Sequence, residues 1–331
     1  MSRARHACVL ALGAAVATLG ASLVAAQTAE KFPSRSIKLI IGFPPGGPTD
    51  LLGRLIAQRM AEDLGQPIVV ENRAGASGGI GMEAVARAPA DGYTLAYGAS
   101  SNIAQLPALR KKLPFHPIND FAPVGMTATG ALTLVASSTV PARTLAEFIA
   151  YGRANPGKLN FASAGAGSAP HLTAVMFNDQ AGIKAVHVPF TGGAPALQAT
   201  MQGSTHYVFD TASTSVPLLN STQVRVLAVT SSERMAALPE VPAAAEAGAG
   251  LPGFVVTTWN GILAPKGTPP AIVERLNQSI RAGLGSKAFV DRLAAMGLAA
   301  APGSPEAFGE FIGRELVRWT DVIERSGLGA D

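Results

Sequence analysis

Runs that read as strands alternate with runs that read as helices along almost the whole chain, and this alternation limits the fold more than any other feature. IKLIIGF is followed by DLLGRLIAQRMAEDLG, PIVVEN by IGMEAVARAPA, KLNFASA by PHLTAVMFNDQAG, and AVHVPF by APALQATMQG. YTLAYGA, LTLVASS, HYVFDTA and VRVLAVT are further strand-like runs, and LAEFIAYGRAN a further helical one. Such a pattern predicts an α/β fold with largely parallel sheets. In sheets of this kind a ligand sits beyond the carboxyl ends of the strands. Four loops rich in Gly, Ser or Pro, IGFPPGGPTD, GASSN, ASAGAGSAPH and FTGGAP, each follow a strand-like run and are placed to share one cleft. A chain of 331 residues, 48% apolar and only 15% charged, has material for about two domains with substantial cores. Late in the chain FVVTTWNGILA reads as a long strand, and two helices follow it. The second, PEAFGEFIGRELVRWTDVIERSG, puts Phe308, Phe311, Ile312, Leu316 and Trp319 on one face. Periodicity does not say which sheet these last elements join.

The first of the four loops frames the chemistry. It links a strand to a helix whose unpaired N–H groups suit an anion, and its glycines allow close approach to the backbone. No Lys-Ser or Lys-Thr follows them, so this is not a nucleotide-binding P-loop.

The amino terminus sets the compartment. Arg3 and Arg5 precede the short apolar run VLALGAAVATLG, and Val24 and Ala26 are placed for cleavage before Gln27, so residues 1–26 read as a secretory signal peptide rather than an anchor helix. The mature chain would keep 305 residues and no cysteine, since Cys8 is the only one, which excludes disulfides and thiol chemistry. Losing Arg3 and Arg5 leaves 24 basic against 22 acidic residues, a balance that carries no nucleic-acid footprint. The expectation is a soluble, exported protein of two domains.

Several motifs invite sharper readings. ENRAGASGGIG misses the dinucleotide spacing G-x-G-x-x-G and reads as a tight turn into a helix. Ser163, Ser168 and His171 suggest a serine hydrolase, but Phe161 stands where a nucleophile elbow has its first glycine. Ser168 is better read as a helix N-cap with His171 on the first turn. His116, His171, His187 and His206 lie far apart, with no metal-ligand spacing. Asp210, in YVFDTAS, reads either as a turn-capping aspartate or as a cleft residue.

Taken together, IGFPPGGPTD, VVENRAGASGGIGMEAVARAPADGYTLAYG, LPFHPINDFAPV, GKLNFASAGAGSAPHL, VPFTGGAPALQATMQG, RVLAVTSSERMAALPEVP and WNGILAPKGTPPAIVERLN resemble the Bug family, the periplasmic solute receptors of tripartite tricarboxylate transporters. The blocks run in family order over about residues 36–280. FHPIND stands where the family often has FDP and a charged pair, and FDTAST where FDN is common; the second departure touches the pocket and bears on ligand choice. The resemblance implies an α/β, two-lobed periplasmic-binding-protein (Venus flytrap) fold, type II-like, with the ligand cleft between lobes. Lobe one would comprise residues 27–127 and 254–331 and lobe two residues 128–253, with crossings near GMTATGAL and PGFVVTTWN.

The implied function is capture of a small carboxylate: a di- or tricarboxylate, an acidic amino acid or an aromatic acid. Delivery would be to the membrane permease subunits of the transporter, by a monomer that needs no cofactor or metal, binds no nucleic acid and catalyses nothing. The amides of Gly46, Gly47, Thr49 and Asp50, with the Thr49 hydroxyl, are expected to receive one carboxylate. Ser163, Gly165, Gly167, Ser168 and His171 are expected to receive the other end, with Ser100 and Asp210 in the cleft and Phe43, Pro44 and Pro45 as its wall. Two other readings stand beside this one: a receptor that presents its closed form to a signalling system, and an exported hydrolase using Ser168 and His171.

Overall fold

The computed structural model describes residues 32–110, 112–247 and 250–328. The signal-peptide reading of residues 1–26 lies outside them. Lobe one begins with β1 (Ile37–Ile41), α1 (Pro48–Leu64), β2 (Ile68–Asn72), α2 (Gly79–Ala86), β3 (Thr94–Ala99) and the short α3 (Leu106–Leu109). The long strand β4 (Phe121–Ser137) then leads into lobe two. There follow α4 (Leu145–Ala154), β5 (Leu159–Ser163), α5 (Ala169–Ala181), β6 (Ala185–Pro189), α6 (Gly193–Met201), β7 (Tyr207–Thr211), α7 (Ala212–Ser215) and β8 (Val224–Val229). The chain returns to lobe one through β9 (Thr257–Pro265), α8 (Pro270–Leu284), α9 (Lys287–Ala295), β10 (Leu298–Ala300) and α10 (Pro305–Ser326).

One sheet runs through the molecule in the order β2-β1-β3-β9-β4-β7-β5-β6, with β8 and β10 also paired to β4. The alternating units on its two flanks are parallel, as the sequence pattern predicts: β1 with β2 and β3, and β5 with β6 and β7. The middle departs from that expectation. There β4 and β9 pair antiparallel to each other, and β9 to β3. Hydrophobic period identifies a strand but carries no information about its direction.

Strand β4 changes partners along its length. Its residues 121–131 pair with β9, whereas residues 132–137 pair with β7 and β8. The second crossing, between β8 and β9, lies against the first. Thr230, buried, accepts a hydrogen bond from the Leu132 N–H at 2.9 Å and donates to the Val256 carbonyl at 2.5 Å, tying both crossings together.

Local signals place the helices that flank the cleft. Helix α1 starts on Pro48 after the N-cap Gly47 and stops at Gly65, whose φ of 69° is left-handed. Helix α10 starts where the Ser304 side chain accepts the Ala307 N–H. Its apolar face is buried as expected, with Phe308, Ile312 and Trp319 each 2% exposed or less. Trp259 of β9 and Trp319 of α10 both donate their indole N–H to Glu315 Oε2 at 3.2 Å, which satisfies two polar tips in the core. Farther along, Arg325 of α10 pairs with Asp179 of α5 at 3.1 Å, so the last helix touches both lobes.

Candidate functional site

Between the lobes lies a cavity of about 390 Å³. Helix α1 contributes Pro48, Thr49, Leu51 and Leu52, and the end of β3 contributes Ser100 and Ser101. The crossing strands supply Gly130, Ala131 and residues 258–260; lobe two adds Ala169, Thr211 and Ala212; and Met296, Gly297 and Leu298 close one side. None of these lining residues carries a charged side chain. What remains for an anion is hydroxyls, the Asn260 amide and the starts of helices. The N–H groups of Thr49 and Asp50 have no partner within α1. In α5 Pro170 has no N–H and that of His171 goes to the Ser168 side chain, which leaves the Ala169 N–H as the one without a partner inside the helix.

The first loop is held from behind. Asp50 is 2% exposed, and its carboxylate accepts from the Gly46 N–H at 2.9 Å, Arg54 Nε at 3.0 Å and Asn72 Nδ2 at 2.8 Å. Asn72 also donates to the Phe43 carbonyl at 3.0 Å and accepts from Arg54 Nη2 at 2.8 Å. Burial by itself would raise the Asp50 pKa; the hydrogen bonds from Arg54, Gly46 and Asn72 outweigh it and hold the carboxyl at about 2. The Gly46 amide is therefore taken by Asp50, which corrects its expected use for a ligand. The Asp50 side chain is likewise a clamp on the loop, not a cleft group. The glycines of GASGGIG serve close packing: a Cβ on Gly81 would stand 2.8 Å from the Gly42 Cα, and one on Gly42 only 2.5 Å from the Gly78 carbonyl oxygen. Phe43, Pro44, Pro45 and Gly47 do not line the cavity, whereas Thr49 and Ser100 do.

The loop of lobe two is turned inward more fully. The Ser163 hydroxyl, wholly buried, accepts the Gly165 N–H at 3.1 Å and lies 2.7 Å from His187 Nε2. The Gly167 N–H is donated to His171 Nδ1 at 3.0 Å, and Ser168 donates its hydroxyl to the Gly165 carbonyl at 2.7 Å while capping α5. The His171 ring stacks on that of His187 with centroids 3.9 Å apart, and both rings lie over Phe161. They border a different cavity, shared with Val175, Ile183 and Leu328. Burial first, and the neighbouring His187 second, press the His171 pKa down to about 4. The Gly165 and Gly167 amides, the Ser163 and Ser168 hydroxyls and the His171 backbone N–H are engaged within the loop rather than turned to the cleft, and Ala169 is the part of this loop that lines the cavity.

Asp210 is also buried, with one oxygen accepting the Thr211 N–H at 2.8 Å and the other without a hydrogen-bond partner among the described residues. Burial raises its pKa. Its neighbours Thr211 and Ala212 line the cleft in its place. Ser168 and His171 do not form the nucleophile–base pair that the hydrolase reading needs: the Ser168 hydroxyl bonds the Gly165 carbonyl and His171 Nδ1 accepts the Gly167 N–H. Among the described residues no group of three or more His, Cys, Asp or Glu side chains is placed to hold a metal ion, and no helix is long and apolar enough to cross a membrane.

Sequence reading missed the cleft side of the crossings, residues 258–260, and the segment Met296–Leu298. WNG in the first was a usable signal; the second had none.

Comparison with known proteins agrees with this geometry. Residues 52–328 match the family described as tripartite tricarboxylate transporter family receptor. Protein BugT of Bordetella pertussis is 36% identical over 317 residues, covering 96% of each chain. A UPF0065 protein from the tcbD-tcbE intergenic region of Pseudomonas sp. strain P51 is 39% identical over 92% of this chain and 90% of its own. Among solved structures, an R. palustris protein with adipate superposes with a TM-score of 0.77 at 35% identity, covering 89% of this chain and 98% of that one. MatC from Rhodopseudomonas palustris with bound malate gives 0.74 at 37% identity, over 88% and 100%. The periplasmic binding protein BugD gives 0.74 at 32% identity, over 91% and 100%. The superpositions extend over nearly the whole of each solved chain, so the fold is shared with them. The chain belongs to the tripartite tricarboxylate transporter receptor family.

Proposed function

We propose that this protein is a periplasmic receptor that closes its lobes on a small carboxylate and hands it, chemically unchanged, to the membrane subunits of a tripartite transporter. The observation that carries the reading is the interlobe cavity, which has helix starts and hydroxyls on its walls and no charged side chain. Hydrogen bonds to a charged group contribute about 1.5–3 kcal/mol each, so a few amides and hydroxyls suffice for micromolar binding without an arginine. Relatives solved with adipate and malate support the carboxylate class. In this reading residues 1–26 are an export signal, the receptor acts as a monomer, and its lobes are 27–127 with 254–331 and 128–253. The lobes hinge where β4 changes partners and Thr230 joins the two crossings. Thr49, Ser100, Ser101, Thr211 and Asn260 contact the ligand.

The test is a thermal-shift screen with succinate, malate, adipate, citrate and benzoate. A ligand at one hundred times its Kd adds about 2.7 kcal/mol to the folded state. Scattering should show a smaller radius of gyration on saturation, and the ligand should be recovered intact after long incubation. Failure of every acid to raise the midpoint, or conversion of the acid to a product, overturns the proposal.

A further inference from the structure

The cleft does not end at β10. A second cavity, of about 520 Å³, lies beyond the crossings between α9, β10 and the 231–237 segment. The two cavities have Gly130, Ala131, Gly297 and Leu298 in common. Of these four only Leu298 has a side chain long enough to divide them. It pairs with Gly130 across the β4–β10 ladder, and a Cβ added to Gly130 would stand 2.7 Å from Leu298 Cδ2. The leucine thus lies flat on the glycine backbone, and the glycine is what makes room for it. On the ligand side Leu298 continues an apolar surface formed with Met296 and Leu51, backed by the buried Leu52. Leu51 is 53% exposed, apolar area that a ligand would cover.

We infer that Leu298 is a specificity-determining residue: it is the partition between the two cavities and sets how long an acid the cleft accepts. The ligand class that follows is a carboxylate whose body is an unsubstituted chain or ring. A hydroxylated body would lose water from its hydroxyls against the three apolar side chains without regaining a hydrogen bond there. A polymethylene or aromatic body gains their contact. This inference rests on the carboxylate-receptor reading above and narrows it.

The test uses calorimetry with succinate, adipate, suberate, sebacate and malate on the wild type, Leu298→Ala and Leu298→Phe. Wild type should bind one of the straight-chain diacids more tightly than malate. Leu298→Ala should move the optimum toward longer chains, by about four-fold in affinity for each methylene newly accommodated, and Leu298→Phe should move it toward shorter ones. If the alanine variant does not fold, Leu298→Val and Leu298→Met give a graded version of the same shift. An unchanged length preference in folded variants overturns the partition. Tightest binding of malate by the wild type overturns the apolar-body class while the receptor reading stands. Binding of none of the acids by the wild type overturns the receptor reading, and this inference falls with it.

Discussion

Replacing Asp50 by asparagine removes the charge that holds the first cleft loop in shape. The carboxylate takes its hydrogen bonds from the Gly46 N–H, Arg54 and Asn72 in a nearly water-free position. Its pKa is held down from 3.8 to about 2: burial opposes the shift, and the bonds from Arg54, Gly46 and Asn72 more than offset it. Because the folded value lies below the unfolded one, the stabilisation is fully present above about pH 4 and is lost as the pH falls toward 2. Those two values correspond to about 2–3 kcal/mol at neutral pH and about half as much at pH 3. Arg54 is half exposed, so solvent screens its share and the figure is an upper one. Asparagine keeps the shape and can still accept from Gly46, but it leaves Arg54 without its anion and can turn an amide N–H toward Asn72. Asp50→Asn should therefore lower the unfolding free energy by about 2–3 kcal/mol at pH 7, a drop of several degrees in Tm. The gap from wild type should shrink to about half at pH 3. Urea unfolding at both pH values checks this. A variant as stable as wild type at pH 7, or a gap that is the same at pH 7 and pH 3, refutes the reasoning.

Two further outcomes separate structural from ligand-facing residues. Ser168→Ala removes the cap of α5 and should cost about 1 kcal/mol of stability, while Thr49→Val, which strips a hydroxyl from the cleft wall, should weaken binding several-fold with little change in stability. Denaturant titration and calorimetry on both variants test the contrast, and the reverse pattern would exchange their roles. His171 should titrate near pH 4 in an NMR experiment, because burial and His187 depress its pKa. A depressed histidine contributes stability above about pH 6.5 that is lost as the pH falls through about 4, so a midpoint near 6.5 would contradict the buried stack.

How far the sequence speaks depends on the range of the interaction. The β1–loop–α1 unit, the loops after β3 and β5, the capping role of Ser168 and the apolar face of α10 follow from local pattern, and all appear in the structure. What was not legible depends on partners distant in the chain. Only the second half of β4 read as a strand, because its first half, FAPVGMTATGA, carries Pro and two Gly and is held by β9 more than a hundred residues later. The loop amides were expected to face a ligand, yet a glycine N–H in a turn looks the same in sequence whether it meets a ligand, as expected at Gly167, or a histidine ring, as found there. Asp50 was chosen for its amide, while its side chain answers to Asn72, a residue that local pattern gave no reason to connect with it. Leu298 reaches the cleft only because β10 pairs with β4, a contact that no short window contains.

The position of β9 has a consequence for how the chain assembles. In the sheet of lobe one this strand fills the gap between β3 and β4, with antiparallel partners on both sides, although it is made long after either of them. Lobe two is continuous in sequence and has all its strands as soon as β8 has emerged. Synthesis runs from the amino end, so lobe two can finish while β3 and the first half of β4 still present open edges. Open edges of this kind invite pairing with other chains. A nascent receptor is thus at its most aggregation-prone between the completion of β8 and the arrival of Pro265. The same interval is the stretch in which a chaperone would have the most to shield, and a chain that stops before β9 lacks the strand that joins β3 to β4.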